Sequence, residues 1–179
     1  SYLLEMNKKT KLLIILNVDY FLISHRLPIV IEAIKSGYDV HIAAQITNNA
    51  KLLKNLKIKI HSLNINRTKS DPSSLIQTII SIYSLVKRIK PDIVHLISIK
   101  PVLLGGFILH FLPKPKKIVF SISGLGFIFT DKRKLTIIKK NLALLLYKIS
   151  LRHKNSKVIV QNKDDFKFIK KITKKKNQD

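Results

Sequence analysis

Lys100 stands directly before Pro101, where the run Lys100-Pro101-Val102-Leu103-Leu104 reads as the opening of a helix. An ammonium beside the open amides of a helix N-terminus is chemistry for a phosphate. A solvated loop lysine in a lysine-rich chain has the same appearance. His25-Arg26 also opens an apolar helical pattern, and there an imidazole can take a proton or an anion, although a lone histidine usually does neither. Gly124-Leu125-Gly126 lacks the third glycine of a dinucleotide fingerprint, since Phe129 stands in its place, which argues against an oxidoreductase. Those glycines can still carry positive φ and turn amides toward an oxyanion, or simply form a turn. Gln161-Asn162 follows the last apolar run. There is no cysteine, and the six histidines are scattered without ligand spacing, so no metal centre is expected.

The elements that must position these groups follow from the apolar pattern. Short runs read as strands at 11–17, 38–44, 57–61, 92–97, 116–121 and 157–160. Between them lie helical patterns at 24–36, 47–55, 72–90 and 101–112, a long one at 133–153, and a last one from Asp164. Asp71-Pro72 is an N-cap followed by a first-turn proline, and Pro91 ends that helix. Gly105-Gly106 fits close helix packing, or alternatively close approach of a ligand. Strand and helix alternate with no hairpin signal. That predicts an α/β domain: a Rossmann-like, doubly wound parallel sheet of about six strands. Ligands of such sheets bind beyond the carboxyl ends of the strands. This brings His25, Arg26, Lys100, Gly124, Leu125, Gly126, Gln161 and Asn162 to one edge.

Charge is the anomaly. Lys+Arg is 34 against 10 for Asp+Glu, a balance of +24. An AT-rich coding sequence explains lysine over arginine but not the shortage of acids, so a polyanionic partner is expected: anionic lipid, nucleic acid or a phosphorylated substrate. Nucleic acid is disfavoured, because aromatics are few and no recognition motif is visible. In the 133–153 helix Leu135, Ile138, Leu142, Leu145 and Ile149 form an apolar stripe. Lys132, Arg133, Lys139 and Lys140 lie largely opposite it. This reads either as a sheet-packing helix with a solvated face or as a lysine face resting on anionic headgroups. The longest apolar run, Pro101–Leu112, holds about a dozen residues where a membrane span needs roughly 20. The expected location is therefore the cytoplasm.

Four segments in order resemble the N-terminal half of bacterial family-4 glycosyltransferases. They are Phe21–Ile29 with Gly37-Tyr38-Asp39-Val40; Asp92–Leu96 with Ile99-Lys100-Pro101 and Gly105-Gly106; Ser123–Thr130; and Val160–Asp165, where the family often has proline in place of Lys163. The resemblance covers about Lys11 to Ile172. It implies one half of a GT-B fold, the acceptor-side domain of an enzyme of capsule, O-antigen or lipopolysaccharide type. Such an enzyme transfers a sugar from a nucleotide-sugar to a polyprenyl-diphosphate-linked or similar glycan acceptor, usually with retention and without a metal or other cofactor. It also implies a peripheral place on the inner face of the cytoplasmic membrane, with the acceptor saccharide near His25, Arg26 and 124–130 and an acceptor phosphate on Lys100. The family's donor-side signature, two glutamates separated by seven residues with a basic residue upstream, does not occur; Glu5 and Glu32 are the only glutamates. The expected organisation is thus an extension at 1–10, the acceptor-side domain at 11–172 and a basic tail at 173–179. The donor half would be supplied by a separate chain or lost by truncation, leaving this chain inactive by itself. The corresponding histidine of many relatives falls here near Ile99 or Lys100, so no catalytic base is assigned.

Overall fold

The computed structural model describes residues 8–47, 51, 53, 55–66, 71–125 and 137–173. Six strands form one sheet: β1 (Lys11–Val18), β2 (Asp39–Gln45), β3 (Ile58–Ser62), β4 (Ile93–Ile97), β5 (Lys117–Ile122) and β6 (Ser156–Val160). Their order is β3-β2-β1-β4-β5-β6 and every pairing is parallel. β1 is central, with Leu12 level with Val40 on one side and Ile93 on the other. Its unbroken apolar run KLLIILNV is what a strand covered on both faces requires. Lys11 pins the start of the sheet: its N–H donates to Asp92 Oδ2 at 2.9 Å and its Nζ to the Ile89 carbonyl at 3.0 Å. That backbone bond is the main reason the Asp92 carboxyl lies below its ordinary value.

The helical segments divide between the two faces. α1 is a continuous run in three pieces, Asp19–Phe21, a π-turn at Leu22–Arg26, and Leu27–Lys35. It covers one face, where Leu12, Ile14, Leu16, Val30, Ala33 and Ile42 pack together. α2 (Pro72–Ile89), α4 (Ile137–Ser150) and α5 (Lys163–Thr173) lie on the other face. So does α3, built of a π-turn at Pro101–Gly105, an α-turn at Gly106–Ile108 and a 3-10 turn at Leu109–Phe111. The core on this second side holds Leu13, Ile15, Ile82, Val86, Val94, Leu96, Val102, Phe120 and Tyr147. A right-handed crossover changes faces when the winding reverses, and here it reverses between β3 and β4.

Local chemistry explains the ends of α2. Asp71 is extended and accepts from the Ser74 N–H at 3.0 Å, and Pro72 takes the first turn. Lys90 closes the helix in the left-handed region at φ 51°, ahead of Pro91. Two expectations need correction. α1 begins at Asp19, not at Ser24. The long helix also turns a different side to the core: Ile138, Leu142 and Leu145 are exposed, while Tyr147 and Ser150 are buried. The reason is steric. Ser150 donates to the Leu103 carbonyl at 2.9 Å and lies against Gly106, so a small residue facing a glycine sets the closest approach of α3 and α4. The more hydrophobic stripe is left outside. Leu135, at its start, lies outside the described residues, as does most of the expected 47–55 helix.

Candidate functional site

The strand order reverses between β1 and β4, and the carboxyl ends of these two strands are the usual ligand position in this architecture. Asn17, next to last in β1, is buried, and beyond Val18 the chain passes into Asp19, fully buried. The Asp19 carboxylate accepts from Thr47 N–H at 2.8 Å and from Thr47 Oγ1 at 2.7 Å. This ties the exit of β1 to the exit of β2 and fixes where α1 starts. Sequence reading missed this pair, because a carboxylate that bridges two strand ends carries no local motif.

The π-turn of α1 holds Ser24, His25 and Arg26. Such turns widen a helix and recur at functional sites. Ser24 Oγ donates to the Tyr20 carbonyl at 2.9 Å, which uses its proton. Its 2.5 Å contact with His25 Nδ1 therefore has the ring nitrogen as donor. In the neutral ring this tautomer leaves a lone pair on Nε2 of an exposed histidine. Arg26 is half-buried, and its charge acts on His95 of β4.

His95 is buried, and its Nε2 lies 2.6 Å from Ser121 Oγ of β5. Burial, with the Arg26 charge adding to it, lowers the His95 pKa from 6.5 to about 4. Unfolded, the ring takes its proton near 6.5, so between that pH and about 4 the unfolded chain binds more protons than the folded one. Stability should therefore fall as pH drops through this window, by up to about 3 kcal/mol from this group. Urea unfolding at pH 7 and near pH 4 should show the fall in the wild type and a smaller one in His95→Gln. Equal losses in both would remove His95 as a source. His41, His61 and His153, also lowered chiefly by burial, act in the same direction and remain in both proteins.

Beyond β4, Ser98 has φ 78°, a left-handed backbone that a non-glycine residue seldom adopts. Its N–H donates to the Ser121 carbonyl at 3.1 Å and its carbonyl accepts from Val102 at 3.1 Å. Two strands and the start of α3 thus hold the strained turn. Lys100 follows, half-buried, with Nζ donating to the Asn66 carbonyl. Burial holds its pKa below the ordinary lysine value, offset in part by Asp71. The loop position of Ser98 is legible in the sequence, but its strained backbone and the part taken by Asn66 are not.

At β5 and β6 the arrangement differs from expectation. Gly124 does have φ 73°, but its N–H donates to Asp165 Oδ2 at 2.9 Å and is not turned out toward an oxyanion. Leu125 is fully buried in the core. Asn162 is exposed and caps α5: its Oδ1 accepts from Asp165 N–H at 2.8 Å and its Nδ2 donates to Asp165 Oδ2 at 2.9 Å. Gln161 is exposed. Gly126, Lys132 and Arg133 lie outside the described residues; Lys139 is exposed and Lys140 half-buried. Among the described residues no cluster of three metal-ligating side chains occurs, and no helix is long and apolar enough to cross a membrane.

A six-stranded parallel sheet in this order, with helices on both faces, defines a Rossmann-like half of the GT-B fold. The sequence profile of the glycosyl transferase 4-like family matches residues 11–162, and the chain belongs to that family. Solved structures share the fold at low identity. A UDP-N-acetylglucosamine 2-epimerase superposes with a TM-score of 0.64 at 15% identity, over 96% of this chain and 46% of its own. A putative epimerase of the same kind from Listeria monocytogenes gives 0.64 at 13%, over 95% and 43%. Sucrose-phosphate synthase from Thermosynechococcus elongatus gives 0.62 at 11%, over 91% and 45%. The chain thus spans a little under half the length of each. Comparison with curated proteins gives no match.

Proposed function

We propose that this domain binds the acceptor in a sugar transfer. Its acceptor is a saccharide linked through a diphosphate to a polyprenyl or similar lipid, and the sugar comes from a nucleotide-sugar held by a second, donor-binding half. The family match over residues 11–162 carries the reading, because the fold by itself is shared with epimerases. The acceptor's saccharide lies near the π-turn, where His25 Nε2 can accept a hydrogen bond from a sugar hydroxyl and Arg26 stands next to it. The diphosphate lies beside the β4–α3 turn. There Lys100 exchanges its bond to the Asn66 carbonyl for a phosphate oxygen. A partly desolvated ammonium gains more from a phosphate than a solvated one does. The domain works on the anionic inner face of the cytoplasmic membrane.

Lys100→Ala should weaken binding of a short-chain, water-soluble prenyl-diphosphate saccharide by about tenfold to a hundredfold, the size of one charge-assisted contact. Binding is read by calorimetry on the chain itself, and as acceptor KM when the donor half is supplied. In that assembly donor KM should not change. Equal acceptor binding by Lys100→Ala and wild type would take Lys100 out of the site, and no binding by the wild type would overturn the acceptor reading.

A further inference from the structure

Two helices on the same face of the sheet each bury one side and expose a second apolar row. In α2, Leu75, Ile79, Ile82 and Val86 pack inward, while Ile76, Ile80 and Tyr83 stand out, spaced i, i+4, i+7 on the opposite side. In α4, Tyr147 and Ser150 are buried, while Ile138, Leu142 and Leu145 repeat the same spacing outward. Exposure is high: 58% at Ile80, 80% at Ile138 and 54% at Leu142. Single exposed aliphatics are ordinary on a protein surface; two such rows on helices covering one face of a sheet are not.

The charges bordering these rows are all of one sign. Lys87 extends the α2 row by one more turn, with its Nζ 5.7 Å from the centre of the Tyr83 ring. Lys139 and Lys148, both exposed, flank the α4 row on its two sides. Neither helix contains an acid, and from Pro72 to Lys163 the only acids are Asp92 and Asp131. Apolar rows edged by lysines are what a helix resting in a headgroup layer needs. A second copy of the chain would oppose the same excess of positive charge, and aliphatic rows offer a nucleic acid nothing to stack on.

We propose that the outer sides of α2 and α4 form a membrane-docking face, with Ile76, Ile80, Tyr83, Ile138, Leu142 and Leu145 entering the headgroup boundary of a bilayer rich in anionic lipid. The bordering lysines meet the lipid phosphates. This deepens the acceptor reading, on which it rests for why the domain meets a bilayer. It also sets an orientation: the helical layer lies flat on the lipid, and the carboxyl edge of the sheet stands at its side.

Cosedimentation with phosphatidylcholine vesicles, with and without about 30 mol % phosphatidylglycerol, tests this. Wild type should bind the anionic vesicles at least about tenfold more tightly than the neutral ones. Ile80→Ser with Leu142→Ser should lower anionic binding at least about tenfold with thermal unfolding unchanged, since both side chains are exposed. Lys87→Glu with Lys148→Glu should do the same through charge. Undiminished binding by both double variants overturns the assignment of this face. A wild type that ignores vesicles overturns it too, including the case in which the chain dimerises through these rows and Ile80→Ser with Leu142→Ser abolishes the dimer. If such a protein still binds the soluble prenyl-diphosphate acceptor, the acceptor reading survives on its own.

Discussion

Gly106→Val should leave little folded protein. Gly106 has ordinary helical dihedrals, φ −59° and ψ −40°, so backbone freedom is not the issue. A Cβ there would lie 2.5 Å from Ser150 Cβ, 2.9 Å from Ser150 Oγ and 3.0 Å from Phe120 Cε1. All three atoms belong to buried residues that have no room to withdraw. Overpacking by one methyl costs about 1–3 kcal/mol, and a branched side chain that must part α3 from α4 should exceed roughly 4 kcal/mol, a large share of a domain's stability. Gly105→Ala is the contrast. Its Cβ would meet Leu96 Cδ2 at 2.8 Å, the far end of a flexible side chain that is itself buried, so a change of rotamer rather than a shift of a helix relieves it at moderate cost. Urea unfolding should rank Gly105→Ala well above Gly106→Ala in stability, with Gly106→Val at the bottom. Ser150→Gly should recover part of the loss in Gly106→Ala, because it removes the clashing Cβ at the expense of one hydrogen bond to Leu103. Equal losses at Gly105 and Gly106, with no recovery from Ser150→Gly, would mean that the two glycines do not set the α3–α4 distance.

That contact also shows where a sequence stops being readable. The alternation of strands and helices, the cap at Asp71 and the stop at Pro91 depend on neighbours within a few residues, and all are visible along the chain. The face of α4 is different. Its apolar residues lie nearly all round the helix, so periodicity cannot choose a side. The choice is made by the small Ser150 meeting Gly106, from another helix. The site divides in the same way. Topology places the loops after β1, β4, β5 and β6 at one edge, and that much is legible. What each residue does there depends on partners distant in sequence. Asn162 is a cap, Leu125 belongs to the core and the Gly124 amide is already engaged. The strained Ser98 and the Asp19–Thr47 tie have no local signal. The histidines carry a similar lesson: His110 and His153 stack at 3.8 Å, each within 2.8 Å of a backbone carbonyl through Nε2, a pairing that spacing does not reveal.

Asp165→Ala should be the second costly change, and it reaches the site. Asp165 is buried, 1% exposed, yet it is a carboxylate in the first turn of α5. Its Oδ2 takes the Gly124 N–H from the loop after β5 and the Asn162 amide from the loop after β6, while its own N–H returns to Asn162 Oδ1. One side chain thus braces two of the loops at the carboxyl edge. Nearby, burial raises the Tyr147 phenol far above its ordinary value, with the Asp165 charge adding to it, so this corner of the core is electrically expensive to disturb. Removing the carboxylate takes the charged acceptor from the Gly124 and Asn162 donors, which should cost about 2–3 kcal/mol. Asp165→Asn keeps the shape and one acceptor oxygen and should cost less than half of that. Hydrogen exchange separates local from global effects. In Asp165→Ala the Gly124 amide should exchange far faster than the β5 amides, whereas in the wild type it is protected. If Gly124 and the β5 amides lose protection together, Asp165 contributes only general stability. If Gly124 alone opens, the carboxylate is what holds the start of the loop after β5, and on the proposed function acceptor binding should weaken with it even under conditions where the variant is fully folded.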